Sequence, residues 1–216
     1  MRVALALLLV ASPVAAQSVR PRLEGRVPSA ALPAIDSLVA LALADSLPSE
    51  PLVQKALEGG AKGIPTDRLV NGVRRGLIQL RNARAILTRA APARASADGD
   101  VAAVAAALAR GLDPALVQRV LLDMPAEPPG AVLHAAADLV AHGFPPESGA
   151  DLLVAAEQSG LRGPRLLDVA AAAAQELQRG HAPADALARV RAMLPNVPEA
   201  PRPHPRSVTR RPARGS

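Results

Sequence analysis

Between Leu32 and Leu194 the chain keeps closing an alanine- and leucine-rich run on a glycine and reopening the next one beside a proline. Gly63-Ile64-Pro65, Gly111-Leu112-Asp113-Pro114, Gly143-Phe144-Pro145-Pro146, Gly160-Leu161-Arg162-Gly163-Pro164 and Gly180-His181-Ala182-Pro183 all follow this order. Glycine takes the left-handed conformation that ends a helix at no steric cost. Proline is tolerated at the first helical position, where its missing N–H would have had no partner. Corners this short join antiparallel neighbours, so the pattern predicts helical hairpins. The glycines are 48, 32, 17 and 20 residues apart, which matches no fixed solenoid period.

The apolar spacing inside the runs is helical, and no stretch alternates as a strand would. The fold class is therefore all-α: about nine short helices in antiparallel hairpins, as an irregular helical repeat or an orthogonal bundle. Segments are expected near 32–45, 50–62, 66–91, 99–110, 114–124, 129–142, 146–159, 164–179 and 183–194. Residues 17–31, with Pro21, Gly25 and Pro28, read as a flexible lead-in. Residues 32–91 and 100–194 read as two helical subdomains joined by a linker over 92–99. From Pro195 onward frequent proline forbids helix, and 195–216 is expected to be a disordered basic tail.

Met1–Ala16 has the form of a secretory signal peptide. Arg2 supplies a positive start, Val3 to Val10 an apolar stretch far too short to span a bilayer, and Val14-Ala15-Ala16 a cleavage site after Ala16. The mature chain is then expected in a bacterial periplasm or outside the cell. With no cysteine, disulfides and thiolate chemistry are excluded, and packing alone must hold the fold. The chain has 25 Lys and Arg against 19 Asp and Glu. Setting aside Arg2 and the tail arginines Arg202, Arg206, Arg210, Arg211 and Arg214 leaves 19 of each, so the body is neutral. A neutral body, export and the lack of tryptophan and tyrosine argue against nucleic acid as a partner.

Two segments carry a family resemblance. Residues 51–70 (Pro51-Leu52-Val53-Gln54-Lys55-Ala56-Leu57-Glu58-Gly59-Gly60-Ala61-Lys62-Gly63-Ile64-Pro65-Thr66-Asp67-Arg68-Leu69-Val70) and Asp138-Leu139-Val140-Ala141-His142-Gly143-Phe144-Pro145 resemble segments of exported bacterial all-α helical-hairpin proteins of uncharacterised activity, over residues 46–194. The resemblance implies a helical fold and export, and no activity.

Candidate sites compete with simpler structural roles. His134, Asp138 and His142 follow one another at four-residue intervals on one helix. The outer pair spans about 12 Å of helix, too far to share an ion, so a polar face is expected and no metal. Gly59-Gly60-Ala61-Lys62-Gly63 has Lys-Gly where a phosphate loop needs Gly-Lys-Ser/Thr, and reads as a helix end. Asp98 and Asp100 are expected to cap a helix. No nucleophile elbow is present, so neither catalytic residues nor cofactors are expected. Charge is segregated: residues 60–96 sum to +7 and residues 97–160 to −7. The helix over 66–91 sets an apolar stripe of Leu69, Val73, Leu77, Leu80 and Leu87 against a basic remainder. The leading expectation is an exported, non-catalytic scaffold or protein-interaction module with a protein partner. The alternative is a peripheral binder of anionic membrane or envelope surfaces through Arg68, Arg74, Arg75, Arg81 and the tail arginines. An enzyme or metal binder with an unrecognised site is the remaining possibility.

Overall fold

The structure, a computed structural model, describes residues 19–194 and 196–198; the expected leader and nearly all of the expected tail lie outside these residues. The protein is all-α. Among the described residues it has ten α-helices: α1 (Arg20–Leu23), α2 (Leu32–Ala44), α3 (Glu50–Ala61), α4 (Thr66–Ala90), α5 (Asp98–Ala109), α6 (Pro114–Asp123), α7 (Pro129–Ala141), α8 (Pro146–Gln158), α9 (Arg165–Gln178) and α10 (Pro183–Met193). Two 3₁₀ turns, Ser29–Ala31 and Pro92–Arg94, complete the order.

One closure recurs at the helix ends. The N–H two positions past the last turn donates back five residues, as in Leu112 to the Ala107 carbonyl, Phe144 to Leu139 and Leu161 to Ala156, at 3.0–3.2 Å. The residue before it is left-handed, with φ +93° at Gly111 and +85° at Gly143. The residue that makes the long bond is apolar and buried in each case: Leu112 is 4%, Phe144 2% and Leu161 6% exposed. Each corner thus satisfies its last carbonyls and drops an apolar side chain into the core in the same step. Ser46, at φ +55°, does the same without glycine, and Leu47 follows it into the core. Asp113 accepts a hydrogen bond from the Ala115 N–H and so caps α6. At α5 the expected capping by aspartate is not found. The cap position is Ala97, the helix already begins at Asp98, and Asp100 instead lies 3.4 Å from Arg94.

The chain divides into two compact units between Arg84 and Ala85, within α4. In the first unit α1, α2 and α3 pack on one another, with Ile35, Leu52, Val53, Val73 and Leu80 in the core. The flexible lead-in expected over 17–31 is folded where it is described. Leu23, Val27 and Ala31, four residues apart, are buried, and the prolines and glycine between them shape the turns without releasing the segment. Arg22 reaches Glu50 with two guanidinium bonds of 2.7 and 2.8 Å. Those bonds, and a further one from Gln54, hold the Glu50 carboxyl down at about 2. Gly60 is the point of closest approach: a Cβ there would sit 2.1 Å from the Arg26 carbonyl oxygen.

The second unit is a stack of three hairpins, α5–α6, α7–α8 and α9–α10. α7 packs against both α5 and α9, and α8 against both α6 and α10, so odd and even helices form two layers. Its central helix, α7, buries seven residues, among them Val132, Leu133, Ala135, Ala136 and Ala137. Small side chains here let neighbouring helices approach toward the lower end of the usual 8–10 Å spacing. The expected linker 92–99 holds the turn Pro92–Arg94 and the first residues of α5. Past α10 the chain stays on the fold as far as it is described. Val197 is 2% exposed, and its carbonyl accepts a 2.6 Å bond from Arg165.

Two outcomes are expected. Gly60→Ala lowers the unfolding free energy by about 2 kcal/mol and opens the Arg26 bond to trypsin, whereas helix propensity alone would make the substitution stabilising by about 1 kcal/mol. Chemical denaturation with limited proteolysis separates the two signs. Because Glu50 is depressed in the folded chain, its stabilising effect is present above the ordinary carboxylate range of about 4.3 and fades as pH falls toward 2. A carboxyl NMR titration is expected to place Glu50 near the bottom of that window, with Arg22→Gln returning it upward.

Candidate functional site

The histidine stripe is accounted for by local bonds. His134 Nε2 lies 3.5 Å from Asp138 Oδ2, and His142 Nδ1 lies 2.8 Å from the Asp138 backbone carbonyl. Arg110, from the end of α5, bonds the other Asp138 carboxylate oxygen. This ties α5 to α7 and leaves that oxygen engaged by a guanidinium. No group of three His, Cys, Asp or Glu is gathered for a metal among the described residues.

Among the described residues three carboxylates are buried: Glu127, Asp168 and Glu176, each 5% exposed or less. Glu127 is one of the acidic residues of the −7 stretch 97–160. It lies in the α6–α7 connection and accepts the Gly163 N–H at 2.8 Å and Arg162 Nη1 at 3.2 Å, from the α8–α9 connection. Arg162 also bonds Glu157, and its guanidinium is pushed further up by these two carboxylates, Glu157 first. The arrangement is a clamp between consecutive hairpins, with both carboxylate oxygens used. Asp168 takes Arg165 at 2.8 Å, and Glu176 takes Arg179 and His181 across the α9–α10 corner.

The outward side of the even layer carries a second network. Arg119 on α6 bonds Glu147 and Asp151 on α8 and lies 3.3 Å from Asp123. Solvent screens pairs this exposed, and they contribute direction more than stability. On the same helix, between Arg119 and Asp123 in sequence, Leu122 is 53% exposed.

In the first unit the cations behave differently. The apolar stripe of α4 is spent in the core: Leu69, Val73, Leu77, Leu80 and Leu87 are all 3% exposed or less, so none is available to enter a bilayer. The basic positions fall on separate flanks. Arg74 bonds Asn71 and Arg81 bonds Asp45 at 2.7 Å. Arg68 and Arg75, two turns apart on the flank facing α3, line a cleft of about 400 Å³ with Lys55, Glu58, Gly59, Lys62, Ile64, Pro65, Leu69 and Gly72. Lys62 pairs with Glu58, and that ammonium first, then Lys55 more weakly, holds the Glu58 carboxyl below its usual range. The contribution of Lys55 escaped sequence reasoning, because it depends on how α3 crosses α4. The available signal was Gly72 and Gly76, four residues apart. They leave room for the Lys55 stem, whose Cε lies 3.9 Å from where a Gly72 Cβ would stand. Arg202, Arg206, Arg210, Arg211 and Arg214 lie outside the described residues.

The run Gly59–Gly63 ends α3 as expected. Gly59 lets Leu69 pack directly on the helix backbone, since a Cβ would come 2.4 Å from Leu69 Cδ1. No family model, curated protein or solved structure matches the chain.

If Glu127 is a structural clamp, Glu127→Ala leaves the Gly163 N–H and Arg162 without their acceptor. The expected loss is about 1–3 kcal/mol, read by chemical denaturation followed on the second unit. A neutral effect there would free the carboxylate for another role.

Proposed function

We propose that this chain is an exported, non-catalytic protein-interaction module whose stacked hairpins present their outward faces to a protein partner. The observation that supports this reading is the two-layer arrangement of α5–α10. In such a stack the residues that specify the fold (corner glycines, first-turn prolines and inward aliphatics) occupy positions separate from the outward faces. Those faces form one extended surface that can change without disturbing the core. Leu122, exposed on α6 three residues after Arg119 and next to Asp123, has the make-up of an interface anchor: an apolar side chain beside charged ones. Export rests on the leader-like Met1–Ala16. Among the described residues no helix is long and apolar enough to cross a membrane.

The test is retention of partners from a native envelope extract by the immobilised mature chain, compared with its Leu122→Asp variant. Leu122 is exposed, so the variant is expected to keep the wild-type circular dichroism spectrum and to lose a defined partner at least tenfold. Equal retention by both, or nothing above a blank matrix, contradicts the proposal.

A further inference from the structure

We propose that the α3–α4 cleft is a binding site for a phosphate ester. Most of the guanidinium groups described elsewhere have found an acceptor: Arg22 has Glu50, Arg81 has Asp45, Arg110 has Asp138 and Arg119 three carboxylates. In the cleft the balance is reversed. Lys55, Lys62, Arg68 and Arg75 face the single carboxylate Glu58, which Lys62 already occupies.

The remaining three cations line the same cleft. Arg68 lies four residues before Gly72 and Arg75 three after it, so all three positions share one side of α4. The Lys55 stem reaches the same spot from α3, passing 3.9 Å from the position of a Gly72 Cβ and 3.6 Å from that of a Gly76 Cβ. Gly72 puts no side chain between the cations, and the nearest atom to where its Cβ would stand is the Lys55 Cε itself. An anion seated there meets two planar guanidinium forks, suited to paired oxygens, and one ammonium point charge. Three cations beside a single carboxylate that Lys62 already pairs favour a multiply charged oxyanion over a carboxylate.

The rest of the cleft defines what the anion is attached to. At about 400 Å³ it exceeds what a bare phosphate needs, and it falls in the size range of small-ligand sites. Ile64, Pro65 and Leu69 provide an apolar wall beside the cations. A phosphate carrying a small organic body, as in glycerol phosphate, matches both the charge and the wall. Such a group occurs free and as a phospholipid headgroup, and the test distinguishes the two. The site lies wholly in the first unit, so it stands or falls separately from the hairpin-face proposal.

The experiment is an amide NMR titration of the full mature chain with glycerol phosphate at low salt. Saturable shifts are expected at Gly59, Lys62 and Gly72, weakening as salt is added. Arg68→Gln with Arg75→Gln, or Lys55→Gln alone, is expected to raise the dissociation constant at least tenfold. The charge-matched pair Arg189→Gln and Arg191→Gln on α10 is expected to change it less than twofold. Linear, non-saturating shifts, equal binding of acetate, or equal weakening by the α10 pair would each overturn the site. Sedimentation with phosphatidylglycerol vesicles, against phosphatidylcholine vesicles, then identifies the source. Pelleting that the cleft substitutions abolish assigns a lipid headgroup, and soluble binding without pelleting assigns a free ester. Pelleting that survives the cleft substitutions, with no soluble binding, overturns the proposal.

Discussion

A left-handed residue followed by a buried apolar one is the device on which the rest of this molecule depends. It occurs at Ser46-Leu47, Gly111-Leu112, Gly143-Phe144 and Gly160-Leu161, and each time it turns the chain back while satisfying the helix's last carbonyls. Without it the helices would expose those carbonyls and lose the contact that fixes the exit angle of the chain. Phe144, the only aromatic residue, is spent on one of these corners. No disulfide is possible, so these closures and the aliphatic contacts they bring together must hold the fold.

Alanine sets the character of the packing. A fully buried leucine contributes about 1.5–3 kcal/mol, and an alanine much less because it removes little area from water. Helices such as α7, with Ala135, Ala136 and Ala137 all buried, exchange area per residue for closeness of approach. Polar clamps supplement what the small side chains leave weak. Glu127 joins successive hairpins, and Arg165 holds the segment after α10 through the Val197 carbonyl. Gly59 and Gly60 do the same by close packing in the first unit, one accepting Leu69 and the other the Arg26 carbonyl.

The fold was largely legible in the sequence because its signals are local. Glycine, proline and apolar period place α2 to α10 within a residue or two of where they lie. The lead-in was misjudged because Pro21, Gly25 and Pro28 outweigh in appearance the three anchors Leu23, Val27 and Ala31. Stacking order was illegible for a different reason. Corner spacing varies with connection length, and the two-layer arrangement belongs to which helices touch rather than to any interval. The cleft was half legible: Arg68 and Arg75 share a flank of α4 by simple phase, whereas Lys55 joins them only through the α3–α4 crossing.

The two proposed surfaces, the hairpin faces and the α3–α4 cleft, lie on different units of the chain. The apolar stripe of α4 is drawn inward, Leu122 stays exposed beside the ion pairs of Arg119 on the hairpin stack, and cations outnumber carboxylates in the cleft. The central claim is the layered stack itself, and a methyl NOE spectrum of the selectively labelled chain addresses it directly. The account predicts cross-peaks from α7 to both α5 and α9, and from α8 to both α6 and α10. Cross-peaks confined to each hairpin, or linking α5 directly to α9, would contradict it.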